Sequence, residues 1–195
     1  NFREGTIDGV KMISGERIKE TIRVDEEGCY ACPVRCKKKV KVEGKYQVDP
    51  IYGAPEYETI GAFGPLCGIV DIKPIAKANE LCNKYGMDTI STGAVVAFAM
   101  ECYENGIITS KDTDRIGLKF GSAKVMLKLV EMIAHREGIG DVLAEGSLRA
   151  AERFGNGAEK FAIHVKGQEC PLHEPRGKWG VGLGYAISPT GADHL

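Results

Sequence analysis

Apolar residues recur at every third or fourth position over most of the chain after Asp71, and this spacing predicts amphipathic helices. Aspartate or serine begins several of these runs, where its side chain can accept from free backbone N–H groups, and glycine follows their ends. Pro74 lies in the first turn of the first run, where a missing N–H removes no helical hydrogen bond. The predicted helices run from Asp71 to Gly86, from Asp88 or Ser91 to Gly106, from Val125 to a point before Gly138, and from Asp141 to Phe154.

The part of the chain before Pro74 has a mixed pattern of short elements. Ile18–Val24 predicts a short helix, and Lys39–Val48 alternates apolar and polar residues around the turn sequence Glu43–Lys45, which predicts a small hairpin. Phe161–Val165 predicts one further short strand. Because helical patterns dominate, we expect a mainly α fold with a few short strands.

The composition changes at Gly167, where glycine, proline and histidine become frequent. We therefore expect a helical domain over residues 1–165 and, over residues 166–195, part of an adjoining domain. High glycine content is also typical of flexible tails, but the apolar residues of this segment favour a packed backbone. These apolar residues are Trp179, Leu183, Tyr185 and Ile187.

Composition and charge narrow the class of protein. The 195 residues are 43% hydrophobic and 27% charged, with a formal net charge of −1, which gives no reason to expect nucleic acid or an anionic membrane as a partner. No apolar run approaches the roughly 20 residues that a bilayer span requires, and the first residues lack the apolar core of a signal peptide. We therefore expect a cytoplasmic protein.

Three of the seven cysteines lie close together, as Cys29, Cys32 and Cys36. An odd cysteine count in a chain of this size favours metal binding over a disulfide framework. Spacing alone leaves both an iron–sulfur cluster and zinc open, and the fourth ligand has to be distant or outside the chain. The basic residues beside Cys36 either offset the charge of a cluster or form a solvated strand face. The remaining cysteines are expected to be small buried residues: Cys67, Cys82, Cys102 and Cys170.

Four motifs in a fixed order resemble the aldehyde ferredoxin oxidoreductase family. The family has a C-x2-C-x3-C segment, an E-Y-E-T-I-G-like segment, a helix that ends in N/D-x-x-G-L-D, and an S-x-x-G-x-x-H segment. The likeness covers essentially the whole chain, and the order of the four motifs makes it specific. The matching residues here are Cys29–Cys36, Glu56–Gly61, Asn83–Asp88 and Ser188–His194.

The resemblance implies roles for the matching cysteines and for two further residues. Cys29, Cys32 and Cys36 would bind a [4Fe-4S] cluster, whose fourth cysteine in the family lies further toward the C-terminus and outside this chain. Glu58 would be the carboxylate near the tungsten of a bis-pterin cofactor, and His194 the histidine that hydrogen-bonds substrate or an oxo ligand there.

The resemblance also implies a pterin-binding segment. Tyr57 and the loop residues Asn83, Gly86, Met87 and Asp88 would contact the pterin. Asn83 stands where the family often has aspartate, and it keeps an acceptor oxygen but loses the charge. Met87 replaces a common leucine, which is a mild change of shape. The resemblance does not distinguish tungsten from molybdenum.

The implied activity is oxidation of a small aldehyde to a carboxylic acid, with electrons passing through the cluster to ferredoxin. A buried carboxylate can take the proton when water adds to the carbonyl, and a histidine can donate to the developing oxyanion. We expect the remaining domains of the same enzyme to be required, the 195-residue piece alone to be inactive, and a homo-oligomer to be compatible with the sequence.

Alternative interpretations stay open at this point. The chain fits a non-catalytic helical module that binds an iron–sulfur cluster or zinc, or a relative that acts on another oxo-acid or thioester couple. Glu58 could be a surface residue of a helix. His173, Glu174 and Arg176 could line a substrate channel, although a surface turn is the favoured interpretation of this proline-rich loop.

Overall fold

In the computed structural model, which describes residues 1–194, short helices pack around one large apolar core. The two longest helices contribute the most residues to this core, followed by the helix over Ala123–His135. The fold is mainly α, as the sequence predicts. The α-helices are α1 (Gly15–Thr21), α2 (Tyr57–Phe63), α3 (Ile72–Tyr85), α4 (Thr89–Glu104), α5 (Ala123–His135), α6 (Ile139–Leu143), α7 (Ser147–Phe154) and α8 (Trp179–Ile187), and the strands are β1 (Arg23–Glu27), β2 (Lys37–Val40), β3 (His164–Val165) and β4 (Gln168–Glu169).

Helices α3 and α4 begin and end at the residues that the sequence predicts. The Asp71 side chain accepts from Lys73 N at 3.0 Å and caps α3. Gly86 closes the same helix with a φ of 69°, a left-handed conformation in which glycine meets no Cβ penalty. Asp88, rather than Ser91, caps α4, because its carboxylate accepts from Ser91 N at 2.6 Å.

Helix α2 packs directly against α4 through small residues. A Cβ added to Gly93 would lie 2.6 Å from Ala62 Cβ, so only glycine allows this approach. The hydroxyl groups of Thr59 and Thr89 lie 2.7 Å apart, which joins the first turns of the two helices. The N-terminal ends of α2 and α4 therefore lie side by side.

The small sheet differs from the hairpin that the sequence predicts. Strand β2 pairs with β1, not with the residues after Gly44, and only an isolated bridge between Val42 and Val48 remains of the predicted hairpin. Cross-strand charge pairing favours this partner, because acidic residues of β1 lie opposite the lysines of β2. The predicted helix Ile18–Val24 is correspondingly wrong at its end, where the chain leaves α1 and enters β1.

Two later elements are also shorter than predicted. The single helix expected over Asp141–Phe154 is two helices, α6 and α7, because the chain bends at Gly146 with a φ of 87°. The strand expected over Phe161–Val165 is limited to β3, which forms a tight hairpin with β4. This hairpin crosses the predicted boundary between residues 165 and 166, and the division into two domains stays a prediction.

The glycine-rich segment contains a helix that the sequence analysis did not predict. Tyr185 in α8 is buried with Cys170 and Ala192 in a second, small apolar cluster. The other three apolar residues named in the sequence are exposed on α8, and the packed backbone expected for this segment stays a prediction at their positions: Trp179, Leu183 and Ile187.

Within residues 1–194 no single helix is both long and apolar enough to cross a bilayer. The segments Tyr57–Cys67 and Ile72–Tyr85 together have the length and composition of a membrane span, but the chain bends by 120° between them.

Candidate functional site

Glu58 lies in the first turn of α2, and its side chain is only 12% exposed. One carboxylate oxygen, Oε2, accepts a hydrogen bond from Leu172 N at 2.5 Å. The other oxygen, Oε1, is buried and accepts no hydrogen bond. The interpretation of Glu58 as a surface residue is therefore wrong. A buried carboxylate oxygen without a donor is costly, and such an atom in a folded chain points to a role with a ligand or a proton.

The segment after β4 is held against α2 by close packing at Gly61. A side chain at this position would overlap Leu172, whose Cδ2 would lie 3.0 Å from the added Cβ. The contact brings the Leu172 N–H within reach of Glu58. Gly61 therefore has a physical reason to be glycine, since it allows the loop to approach the carboxylate.

Two histidines complete the surroundings of Glu58. His173 Nε2 lies 3.2 Å from Glu58 Oε1, and the His173 and His194 rings are tilted by 36° with their centroids 5.2 Å apart. One ligand-type atom from each of Glu58, His173 and His194 lies within 4.8 Å of the others. We call these three residues the Glu58 site. The structure thus brings together two residues that are far apart in sequence and that the family resemblance implicates, Glu58 and His194.

His173 is the residue of this site that the sequence analysis did not assign. The sequence favours a surface turn for its loop, but in the structure the His173 side chain is 29% exposed and lies beside Glu58. The Tyr57 ring also approaches it, with centroids 5.8 Å apart. The sequence indicates His173 only as a histidine in a proline-rich loop. Its contact with α2 depends on tertiary packing, which the sequence pattern does not show. Glu174 and Arg176, by contrast, form an exposed ion pair at 2.5 Å.

The Tyr185 hydroxyl fixes the backbone of the His173 loop. It donates to the His173 carbonyl oxygen at 3.2 Å. Burial raises the pKa of Tyr185 to about 12, with smaller contributions from Cys170 and nearby carboxylates. The hydroxyl therefore stays a donor throughout the neutral and mildly alkaline range.

The predicted pterin loop lies between α3 and α4, at the same end of the helices as Glu58. Asn83 is exposed, and its amide donates to the Asn79 carbonyl at 2.9 Å. Gly86 is exposed and has no atom within 4 Å of the position of an added Cβ, which leaves open space beside the turn. Met87 is half-buried and Asp88 is exposed. Exposed polar groups beside an open turn fit a polar heterocycle.

The cysteine loop, residues 28–36, connects β1 to β2. Cys29 and Cys36 are exposed and Cys32 is half-buried. Cys32 N donates to the Cys29 carbonyl at 3.0 Å, and positive φ values at Ala31 and Arg35 (56° and 48°) turn the chain back. The donor set of three thiols on one short loop fits an iron–sulfur cluster.

The sulfur positions also bear on zinc. Zn–S bonds of about 2.3 Å in a tetrahedral site hold two sulfurs about 3.8 Å apart. In residues 1–194, Cys29, Cys32 and Cys36 do not form a group with ligand atoms within 4.8 Å of one another. A closed zinc site would require these sulfurs to come closer together, whereas the separate irons of one cluster accept wider spacing.

The other cysteines are buried, as predicted. Burial raises the pKa of the Cys67, Cys82 and Cys102 thiols to about 12, and that of Cys170 to about 11. A thiol with such a pKa is neutral near pH 7 and is a poor nucleophile and a poor metal ligand.

A cavity of about 1010 Å³ lies beside α2 but is separate from the Glu58 site. Residues 1–18 form one wall, and Tyr57, Ile60 and Leu172 contribute to the other. The Glu58, His173 and His194 side chains do not line it. Its volume therefore does not define the space next to the carboxylate.

The chain is mainly helical and carries a three-thiol loop and a buried carboxylate beside two imidazoles, and these groups are of the kinds that bind metals. The comparison with known families makes the class specific. The chain belongs to the aldehyde ferredoxin oxidoreductase family, because the family model for domains 2 and 3 matches residues 1–195.

Individual relatives agree with this assignment. A tungsten-containing aldehyde ferredoxin oxidoreductase of Pyrococcus abyssi is 41% identical over 201 residues, which cover 100% of this chain and 32% of that protein. The WOR-like subunit of an aliphatic sulfonate oxidoreductase from Pyrococcus furiosus is 37% identical over 172 residues, with 85% of this chain and 27% of that protein covered.

A solved structure shows the same fold. The active-site complex BamBC of benzoyl coenzyme A reductase with 1,5-dienoyl-CoA matches with a TM-score of 0.69 and 30% identity, over 80% of this chain and 23% of that one. The chain spans about a third of the length of the curated tungsten-containing relative above.

Proposed function

We propose that this chain is the cluster- and pterin-binding part of an enzyme that oxidises aldehydes to carboxylic acids at a tungsten (or molybdenum) bis-pterin centre. Electrons would pass through a [4Fe-4S] cluster to ferredoxin. The observation that carries the proposal is the buried Glu58 Oε1, which accepts no hydrogen bond and lies beside His173. The remaining domains of the same enzyme are partners in this proposal, and its cytoplasmic location and homo-oligomeric state stay predictions.

The cofactor, when bound, supplies the two-electron redox chemistry, and the protein orients the reactants and handles the proton. Glu58 Oε1 takes the proton of the water that adds to the aldehyde carbonyl, and Leu172 N–H holds Oε2 so that Oε1 stays free. His194 donates to the oxygen on which negative charge develops. The arrangement suits aldehyde oxidation, because the base Glu58 and the donor His194 belong to the same site.

The pterin would lie between α3 and α4. The loop would contact it through Asn83, Gly86, Met87 and Asp88. Tyr57 would contact it from the first turn of α2, because the Thr59 and Thr89 hydroxyls, 2.7 Å apart, hold the N-terminal end of α2 beside that of α4. The closeness of these ends supports one continuous site. Cys29, Cys32 and Cys36 would hold three corners of the cluster, and the fourth ligand would come from elsewhere in the enzyme.

The test is the Glu58→Gln variant of the full-length enzyme, prepared anaerobically and measured by aldehyde-dependent viologen reduction. Gln keeps the shape and the contact with Leu172 N but cannot take a proton. We expect turnover to fall about 10²- to 10⁴-fold, the range typical of a lost general base, with tungsten and iron contents unchanged. Unchanged turnover would remove Glu58 from the mechanism.

The substrate class is a separate question, because relatives with the same fold act on different compounds according to their names. The similarity to an aliphatic sulfonate oxidoreductase is the observation that favours a second candidate substrate. The same viologen assay with an aliphatic sulfonate in place of aldehyde distinguishes the two. If viologen is reduced faster with the sulfonate than with the aldehyde, the sulfonate is the substrate class.

A further inference from the structure

His173 lies between the buried carboxylate of the Glu58 site and an exposed lysine. Its Nε2 is 3.2 Å from Glu58 Oε1, and its Nδ1 is 3.2 Å from Lys178 Nζ. Exposure rises along this line, from 12% for the Glu58 side chain to 29% for His173, and Lys178 is exposed. The imidazole ring therefore connects a buried oxygen to solvent with its two nitrogens.

The ring is held in this position from several sides. The Tyr185 hydroxyl donates to the His173 carbonyl oxygen, and the packing of Leu172 on Gly61 fixes the preceding residue. The Tyr57 and His194 rings both contact the imidazole, with centroids 5.8 Å and 5.2 Å from that of His173. Such fixed surroundings suit a group that handles protons at a defined place.

A buried base needs a route by which its proton leaves. In the proposed function Glu58 Oε1 gains one proton in each turnover, and the carboxylate has to be regenerated before the next. Oε2 is occupied by the Leu172 N–H, so the proton on Oε1 has His173 Nε2 as its near acceptor. Imidazole suits this task because it can accept on one nitrogen and release from the other.

We propose that His173 relays the proton from Glu58 to solvent, an inference that rests on the proposed function of Glu58. The O–H bond at Oε1 breaks as Nε2–H forms, which leaves a carboxylate and an imidazolium. For this step His173 carries its resting proton on Nδ1 and its lone pair on Nε2, and the exposed Lys178 side chain turns away from Nδ1. The Nδ1–H proton then passes to water, and exchange with water returns the neutral imidazole to the Nδ1–H tautomer before the next turnover. No electrons move in these steps.

The test compares two variants of the full-length holoenzyme with wild type in a weakly buffered viologen assay. His173→Gln keeps a donor of similar reach but cannot carry a proton, and His173→Ala leaves space for added imidazole. We expect kcat of both to fall about a hundredfold, with little change in KM for the aldehyde. Added imidazole should restore most of the kcat of His173→Ala and leave wild type unchanged.

His135 offers the matched control, because it is exposed on α5 and packs edge-to-face on Tyr85, 5.1 Å away, outside the Glu58 site. His135→Ala should keep wild-type kcat and show no response to imidazole. Full turnover in His173→Gln would overturn the relay, since a structural or hydrogen-bonding role alone survives that change. A loss in His173→Ala that imidazole does not relieve would overturn it as well.

The outcome is distinguishable from a failure of the proposed function. If Glu58→Gln retains full turnover, then Glu58 is not the base and the relay loses its donor. If Glu58→Gln is impaired and His173→Gln is not, then only the relay is wrong. Tungsten and iron contents of every variant show whether the site itself is intact.

Discussion

At the residue scale, the two oxygens of Glu58 have different surroundings and therefore different tasks. Oε2 is held by a backbone N–H, while Oε1 is buried without a hydrogen bond. His173 Nε2 lies 3.2 Å from Oε1 but makes no hydrogen bond to it, so Oε1 stays available for a proton. Buried polar atoms without a hydrogen bond are typical of functional sites.

Gly61 is the residue that allows this geometry, and its substitution is the most specific test of the loop packing. Gly61→Ala should push Leu172 away, destabilise the full-length enzyme by about 1–3 kcal/mol through overpacking, and lower turnover because the N–H that holds Glu58 moves. Urea unfolding and the viologen assay measure the two effects.

Gly184 provides the control, because it also lies in a helix but has no atom within 4 Å of an added Cβ. Gly184→Ala should be neutral or stabilise by about 0.5–1 kcal/mol, since alanine favours helix more than glycine does. Equal losses in the two variants would contradict the account of Gly61.

At the element scale, the cap of α4 serves both folding and the predicted pterin contact. Asp88→Ala and Asp71→Ala each remove an N-cap carboxylate, and each should cost about 1 kcal/mol of stability. Only Asp88 belongs to the loop assigned to the pterin, so only Asp88→Ala should lower tungsten retention. Metal analysis of the two full-length variants decides this. Equal tungsten loss would remove Asp88 from the cofactor contacts.

The sequence could predict elements whose signals are local. The caps Asp71 and Asp88 and the stop at Gly86 follow from side-chain chemistry within a few residues, and the structure confirms them. Strand β2 pairs with β1, which the cysteine loop brings alongside it. The local alternation around Gly44 instead predicts pairing between the residues on the two sides of that glycine, and this prediction is wrong. The break between α6 and α7 at Gly146 was not predictable from spacing, because apolar residues continue at helical intervals on both sides of it.

The candidate site was predictable only where the family motifs reach. Those motifs indicated Glu58 and His194, which the structure brings together with one further residue. His173 enters through the close packing of Leu172 on Gly61 and through the Tyr185 hydroxyl, and both are contacts between distant segments. Spacing along the chain carries no information on such contacts.

At the scale of the whole molecule, buried thiols make stability depend on alkaline pH. The ordinary pKa of 9.0 is raised to about 12 for Cys82 by burial, so the neutral thiol favours the folded state. This contribution is complete below pH 9.0 and is lost as pH rises toward about 12. The unfolding free energy of the full-length enzyme should therefore decrease as the pH rises above 9.0.

The Cys82→Ala variant isolates this effect. Between about pH 8 and about pH 10 its loss of unfolding free energy should be smaller than that of wild type by on the order of 1 kcal/mol, because only the unfolded wild-type thiol ionises in this range. Urea unfolding at the two pH values measures the difference. An identical pH dependence in wild type and variant would contradict the burial of a neutral thiol at this position.

The metal content of the full-length protein, purified without oxygen and measured by elemental analysis, is the most direct test of our assignment of this chain as the cluster- and pterin-binding part of a tungsten-dependent oxidoreductase. We expect tungsten together with about four irons per chain, as one [4Fe-4S] cluster requires. Zinc alone, without tungsten or iron, would contradict it.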